Sequence, residues 1–86
     1  MNVHIPTPLR SYTGGASTVQ ARGDTLGALL DDLEVNHPGI RFRMIDEQDR
    51  VRPHIKFFVG NEHNDDLDVS LPSHGQIHII CALSGG

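Results

Sequence analysis

The chain has little of what usually announces a function. It has no tryptophan, one tyrosine, three phenylalanines and a single cysteine, Cys81. One cysteine permits no internal disulfide, and a small domain without a disulfide framework suits a reducing cytosol. No apolar run approaches the roughly 20 residues of a membrane span. The opening Met1-Asn2-Val3-His4-Ile5-Pro6 lacks the charged and apolar blocks of a signal peptide. A cytoplasmic location and no membrane partner are therefore expected. Seven Lys and Arg stand against eleven Asp and Glu, a formal charge of −4. That balance, with no basic stripe carrying interleaved aromatics, argues against a nucleic-acid partner. No glycine-rich loop joins a strand to a helix, as a phosphate cradle requires, and no nucleophile–base pair points to hydrolysis. The 86 residues fit one small domain.

What is present alternates. Val3-His4-Ile5 reads as a strand with His4 outward. Pro6 and Pro8 cannot donate to a ladder, so no close partner is expected on the N–H side there. Thr13-Gly14-Gly15 is a turn, and Val19-Gln20-Ala21-Arg22 alternates again, which predicts a hairpin. Asp24 or Thr25 caps a helix whose Leu26, Leu29, Leu30 and Leu33 form one apolar stripe. Pro38-Gly39 ends it. Ile40, Met44 and Ile45 predict a short helical turn closing one end of the core, followed by a solvated loop over Asp46 to Arg50. Ile55 to Val59 is a further strand, Gly60 to Asp66 a polar turn, and Ile77 to Cys81 the last strand. Leu67, Val69 and Leu71 form either a short edge strand or irregular cover.

One helix for a whole sheet predicts an α+β fold, the helix packed across one face and the other face open to water. On the open face the alternation places His4, Lys56, Phe58, His78 and Ile80. Phe58, as an exposed aromatic, and Ile80 would make an apolar patch of the kind that marks partner sites. Lys56 and His78 flank it. Cys81 alternates with Ile77 and Ile79, which points it to the core as a small hydrophobe rather than a reactive thiol. His4 and His78 fall side by side with His54 nearby, but zinc needs three or four well-placed ligands, so no metal site is expected. Asp31, Asp32 and Glu34 read as a solvated helix face.

The chain ends Leu83-Ser84-Gly85-Gly86. Glycine resists being fixed in place, so this end offers the domain nothing to bury. It offers instead a thin carboxyl terminus, which four extended residues carry roughly 13 Å beyond the last anchored residue. The expected organisation is a domain over 1–82 and a flexible tail over 83–86.

Ile5-Pro6-Thr7-Pro8-Leu9-Arg10, Thr13-Gly14-Gly15, Gly23-Asp24-Thr25-Leu26-Gly27, Leu29-Leu30-Asp31-Asp32-Leu33-Glu34 and the final Gly85-Gly86 together carry a likeness over nearly the whole length. The chain resembles the small β-grasp, ubiquitin-like sulfur carriers that serve molybdopterin, thiamine and cysteine synthesis. Its opening and helix look most like the cysteine-synthesis branch. It departs from that branch at Gly60, in the Ala82-Leu83-Ser84 approach to the tail, and in having six histidines. The resemblance implies a mixed sheet of four or five strands with one main helix. It implies a protein cosubstrate rather than an enzyme, with no cofactor bound. A ubiquitin-activating-like adenylating and sulfurtransferase enzyme would use ATP to adenylate Gly86. Sulfide or a persulfide would then displace the nucleotide to leave a thiocarboxylate, with Gly85 keeping the approach unhindered. A sulfur-acceptor synthase would be the second partner, and Leu83 and Ser84 would join the open face in binding. Two rival roles are a modifier joined through Gly86 to lysines and a non-covalent β-grasp binding module.

Overall fold

The computed structural model describes residues 1–82. Its elements are β1 (Asn2–His4), a 3-10 helix (Thr7–Thr13), β2 (Thr18–Gln20), α1 (Leu26–Asn36), α2 (Ile40–Met44), β3 (Ile55–Val59), β4 (Glu62–His63) and β5 (Gln76–Cys81). The strands form one sheet in the order β2-β1-β5-β3-β4. Only β1 and β5 run parallel; the other pairs are antiparallel. This is the expected α+β arrangement, with five strands.

β1 and β2 pair as expected, but no tight turn joins them. Pro6 leaves β1 at φ −70 and Pro8 sits in the first turn of the 3-10 helix, where a missing N–H costs nothing. Gly14, at φ 65, ends that helix. β2 also begins and ends earlier than the alternation suggests. Ala21 stays buried and still exchanges hydrogen bonds with Met1, yet lies beyond the strand. The chain has turned there to bring Gly23 against α1, where its Cα lies so close that an added Cβ would fall 2.3 Å from the Leu29 nitrogen.

The leucine stripe is as expected: Leu26, Leu29, Leu30 and Leu33 are all fully buried. Thr25 is the N-cap, its Oγ1 accepting from the Ala28 N–H at 3.1 Å. The remaining first-turn donors are satisfied by the segment whose alternation suggested an edge strand. Leu26 N donates to Val69 O at 3.1 Å and Gly27 N to Leu67 O at 2.7 Å. Leu67, Val69 and Leu71 are therefore irregular cover, packed half-buried on the core. The fifth strand is instead Glu62–His63, within the stretch expected to be a polar turn.

Ile40, Met44 and Ile45 are fully buried and close one end of the core. α2 is tied to α1 by Glu34. Its carboxylate accepts from Gly39 N at 2.8 Å and from Arg41 N at 2.9 Å. Those two bonds, the Gly39 one foremost, hold the Glu34 carboxyl below the usual glutamate range. A depressed folded-state pKa contributes stability above the unfolded value and loses it as pH falls through the folded one. Glu34→Ala should cost about 1 kcal/mol at neutral pH, the scale of a lost cap. In thermal melts the gap to the parent chain should narrow as pH falls below the ordinary glutamate pKa of about 4.3 and close below the lowered folded-state value. A gap that stays constant with pH would show that the carboxylate charge is not the source.

Candidate partner-docking face

α1 and α2 cover one face of the sheet; the pleat sends alternate residues to the other. Register aligns Thr18, His4, His78, Phe58 and His63 in one row across all five strands. Lys56 faces Ile80 in the next row. The expected open face is thus assembled as one surface. Lys56 is exposed and Ile80 keeps 44% of its surface, while His78 is half-buried.

Within the row the side chains stack. Neighbouring strands lie about 4.8 Å apart, which is ring-stacking distance. The His4 and His78 rings accordingly sit 4.3 Å apart with planes 5° from parallel. His4 is held at Nδ1 by the Thr18 hydroxyl at 3.5 Å and at Nε2 by the Gln76 side chain. Parallel stacking aims the ring lone pairs along one another rather than at a common point. No cluster of three metal-ligating side chains forms among the described residues.

Two expectations about this face are corrected. Phe58 is half-buried rather than exposed, because the His63 ring tilts over it with centroids 5.4 Å apart. His63 in turn is fixed by Asp65 at 2.9 Å. His54 is not beside the stacked pair. Its carbonyl accepts from Ala82 N at 2.7 Å, four register steps or roughly 13 Å along β5 from His78. Its side chain lines a depression with Phe42, Arg43 and Arg52. Cys81 is half-buried, packed at the margin of the core rather than enclosed in it.

The sequence reading missed a groove. β1 pairs with β5 only as far as His4 opposite His78, whereas β5 runs on to Cys81. A groove of about 840 Å³ occupies the vacated side, lined by Ile5, Pro6, Pro8, Arg10, Ile80 and Cys81 among others. Pro6 and Pro8 carried the signal, since they mark where pairing on that edge stops. Phe42, 56% exposed, was also missed; it lies off the Ile40–Met44 face. The groove and the open face meet at Ile80, two residues before the last described residue. The expected tail residues Leu83, Ser84, Gly85 and Gly86 lie outside the described residues.

A model of the ThiS family matches residues 3–86. The chain belongs to the ThiS family. It is 36% identical to the sulfur carrier protein CysO of Mycobacterium tuberculosis (strain H37Rv), over all of this chain and 98% of that one. A crystal structure of Mycobacterium tuberculosis CysO superposes with a TM-score of 0.89 at 34% identity, covering 95% of this chain and 98% of the other. CysO in the Amycolatopsis orientalis BexX/CysO complex gives 0.90 at 33%, covering 99% and 98%. The fold is thus the ubiquitin-like β-grasp, and the likeness is to the CysO branch, as the opening and helix segments suggested. The modifier and non-covalent readings are not favoured by these ThiS-family relatives.

Proposed function

We propose that this ThiS-family chain is a sulfur carrier whose Gly86 carboxylate is activated and converted to a thiocarboxylate by a partner enzyme. The observation that carries the proposal is the match to the family and to CysO along the whole chain, through the closing diglycine. A carboxylate is a poor acyl donor, because its charge repels nucleophiles and it has no leaving group. Transfer of AMP from ATP forms an acyl–phosphate bond at Gly86 and releases pyrophosphate. A sulfide nucleophile then attacks the acyl carbon; the C–S bond forms, the C–O bond to phosphate breaks, and AMP departs. The domain supplies a rigid exit strand and a docking surface centred on Ile80, Lys56, Phe58 and His78. The CysO likeness favours a cysteine-forming acceptor over the molybdopterin and thiamine ones.

Intact mass after incubation with ATP, sulfide and the adenylating enzyme of the source organism tests this. The expected product has one oxygen replaced by sulfur at Gly86. Cys81→Ser should load equally, since Cys81 serves packing at the core margin. An unchanged mass, or sulfur found on Cys81, would overturn the reading.

A further inference from the structure

Five of the chain's seven Lys and Arg side chains are fixed by a bond or an ion pair, in two ways. Arg41 is paired with Asp31 at 3.0 Å and Asp49 at 3.3 Å, and Arg50 with Asp46 at 3.5 Å. Arg10, Arg43 and Arg52 are held just as firmly, but by neutral acceptors. Arg10 Nε donates to Ile5 O at 3.0 Å. Arg43 Nε donates to the Tyr12 hydroxyl. Arg52 Nε donates to Phe42 O at 2.8 Å, with its guanidinium 4.6 Å over the Phe42 ring. None of the three forms an ion pair among the described residues. The Arg50 N–H foremost holds the Asp46 carboxyl below the usual range and Arg52 is close enough to contribute, but that carboxylate bonds the Gln48 and Arg50 N–H groups and pairs with the Arg50 guanidinium.

These three arginines flank one point. Arg10 lines the groove beside Ile80 and Cys81. Arg43 and Arg52 share with Phe42 and His54 the depression on the other side. Ala82, bonded to His54, stands between them. The acids gather elsewhere: Asp31, Asp49, Asp65, Asp66 and Asp68 line a separate depression. A chain of net charge −4 thus places, on both sides of its last described residue, three anchored arginines that form no ion pair among the described residues.

We propose that Arg10, Arg43 and Arg52 form a cationic collar that docks on carboxylates around the channel mouth of the adenylating enzyme. The proposal rests on the sulfur-carrier reading and names the chemistry of its partner surface. Each Nε is anchored by a neutral acceptor, and the terminal guanidinium nitrogens make no hydrogen bond among the described residues, which leaves them available to carboxylates. The anchoring also lowers the side-chain entropy lost on binding. The exposed Phe42 ring under Arg52 gives the collar an apolar platform, and Arg-on-aromatic stacking keeps the charge planar and partly desolvated. Complementary charge of this kind speeds encounter and fixes register.

The experiment compares the parent chain with Arg43→Glu/Arg52→Glu and Arg43→Lys/Arg52→Lys as substrates of the adenylating enzyme, followed by pyrophosphate release. Circular dichroism and melting of each variant establish that it is folded. At low salt the Glu variant should show a KM at least about tenfold higher with kcat unchanged. The difference should shrink severalfold at high salt, where charges are screened beyond about 3 Å at 1 M. The Lys variant should recover most of the loss. A Glu variant with the parent's KM at low salt, or a loss indifferent to salt, would overturn the collar while leaving the carrier reading intact. A defect confined to sulfur transfer from the loaded carrier would overturn the assignment to the adenylating enzyme. A parent chain that is not adenylated at all would remove the carrier reading and the collar with it.

Discussion

Deleting Gly86 is expected to leave a chain that melts as the parent does and takes up no sulfur. Glycine has no side chain, so its removal takes away no side-chain packing. Stability should therefore be unchanged. Loading should fall below detection for two separable reasons. The acyl carbon moves back by one residue, about 3.5 Å in an extended chain, and a misplacement of about 1 Å already costs on the order of a hundredfold in rate. Glycine at this end also has no Cβ, so the carboxylate can be approached along a channel no wider than the backbone. Gly86→Ala separates the two effects. It keeps the reach and adds one methyl group, so it should be activated slowly, by about a hundredfold if the methyl shifts the carboxylate by that same distance. Intact mass after incubation with ATP, sulfide and the adenylating enzyme reads both variants. Normal loading of the truncated chain would remove Gly86 from the chemistry. Equal loading of Gly86→Ala would show that the channel has room and that reach alone matters.

How much of this was legible follows from which signals are periodic. The leucine stripe of α1 and the alternation of β3 and β5 place residues by period alone, so the core and the open face could be read directly. Ile55, Phe57, Ile77 and Ile79 are all buried and Lys56 and Ile80 are exposed, as their parity requires. β4 was illegible because Glu62 and His63 are polar and exposed; they pair because the turn at Gly60 delivers them opposite Phe58 and Val59. Leu67, Val69 and Leu71 left two readings open, edge strand or irregular cover, and the second holds. They alternate like a strand, but the carbonyls of Leu67 and Val69 are taken by the first-turn donors of α1, a demand every helix start makes. The half-burial of Phe58 depended on His63, a partner from an unforeseen strand. The groove and the arginine collar depend on where β1 parts from β5 and on residues at positions 10, 43 and 52. No local window contains them. The diglycine stood out in the sequence, yet its chemical meaning came only with the family likeness.

Gly23→Ala should be the most damaging single substitution in the folded domain. The requirement at this position is space rather than backbone freedom. A Cβ would meet Leu29 N at 2.3 Å, the Ala28 carbonyl carbon at 2.7 Å and Leu29 Cα at 2.8 Å. All three are backbone atoms of α1, so no side-chain rotation relieves the clash. Either α1 lifts from the sheet or the strand-to-helix turn swings away. The first course opens the packing of Leu29 and Leu30, both fully buried. The second draws Thr25 from the Ala28 N–H and breaks the bonds that Leu67 and Val69 make to the helix start. Overpacking of this kind costs about 1–3 kcal/mol where side chains can adjust, and more where they cannot. A loss of about 3 kcal/mol or more is therefore expected, against a total of roughly 5–15 kcal/mol for a domain. Gly14→Ala is the contrasting control. Its added Cβ meets nothing within 4 Å, and only the φ of 65 resists it, a cost of about 1–2 kcal/mol. Urea midpoints should rank parent, Gly14→Ala, Gly23→Ala in falling order. A Gly23→Ala chain as stable as Gly14→Ala would mean that the turn can yield. Cooled until it is folded, Gly23→Ala should still accept sulfur at Gly86. Its defect would lie in seating α1 on the sheet, whereas that of the Gly86 deletion would lie in the proposed site of sulfur loading.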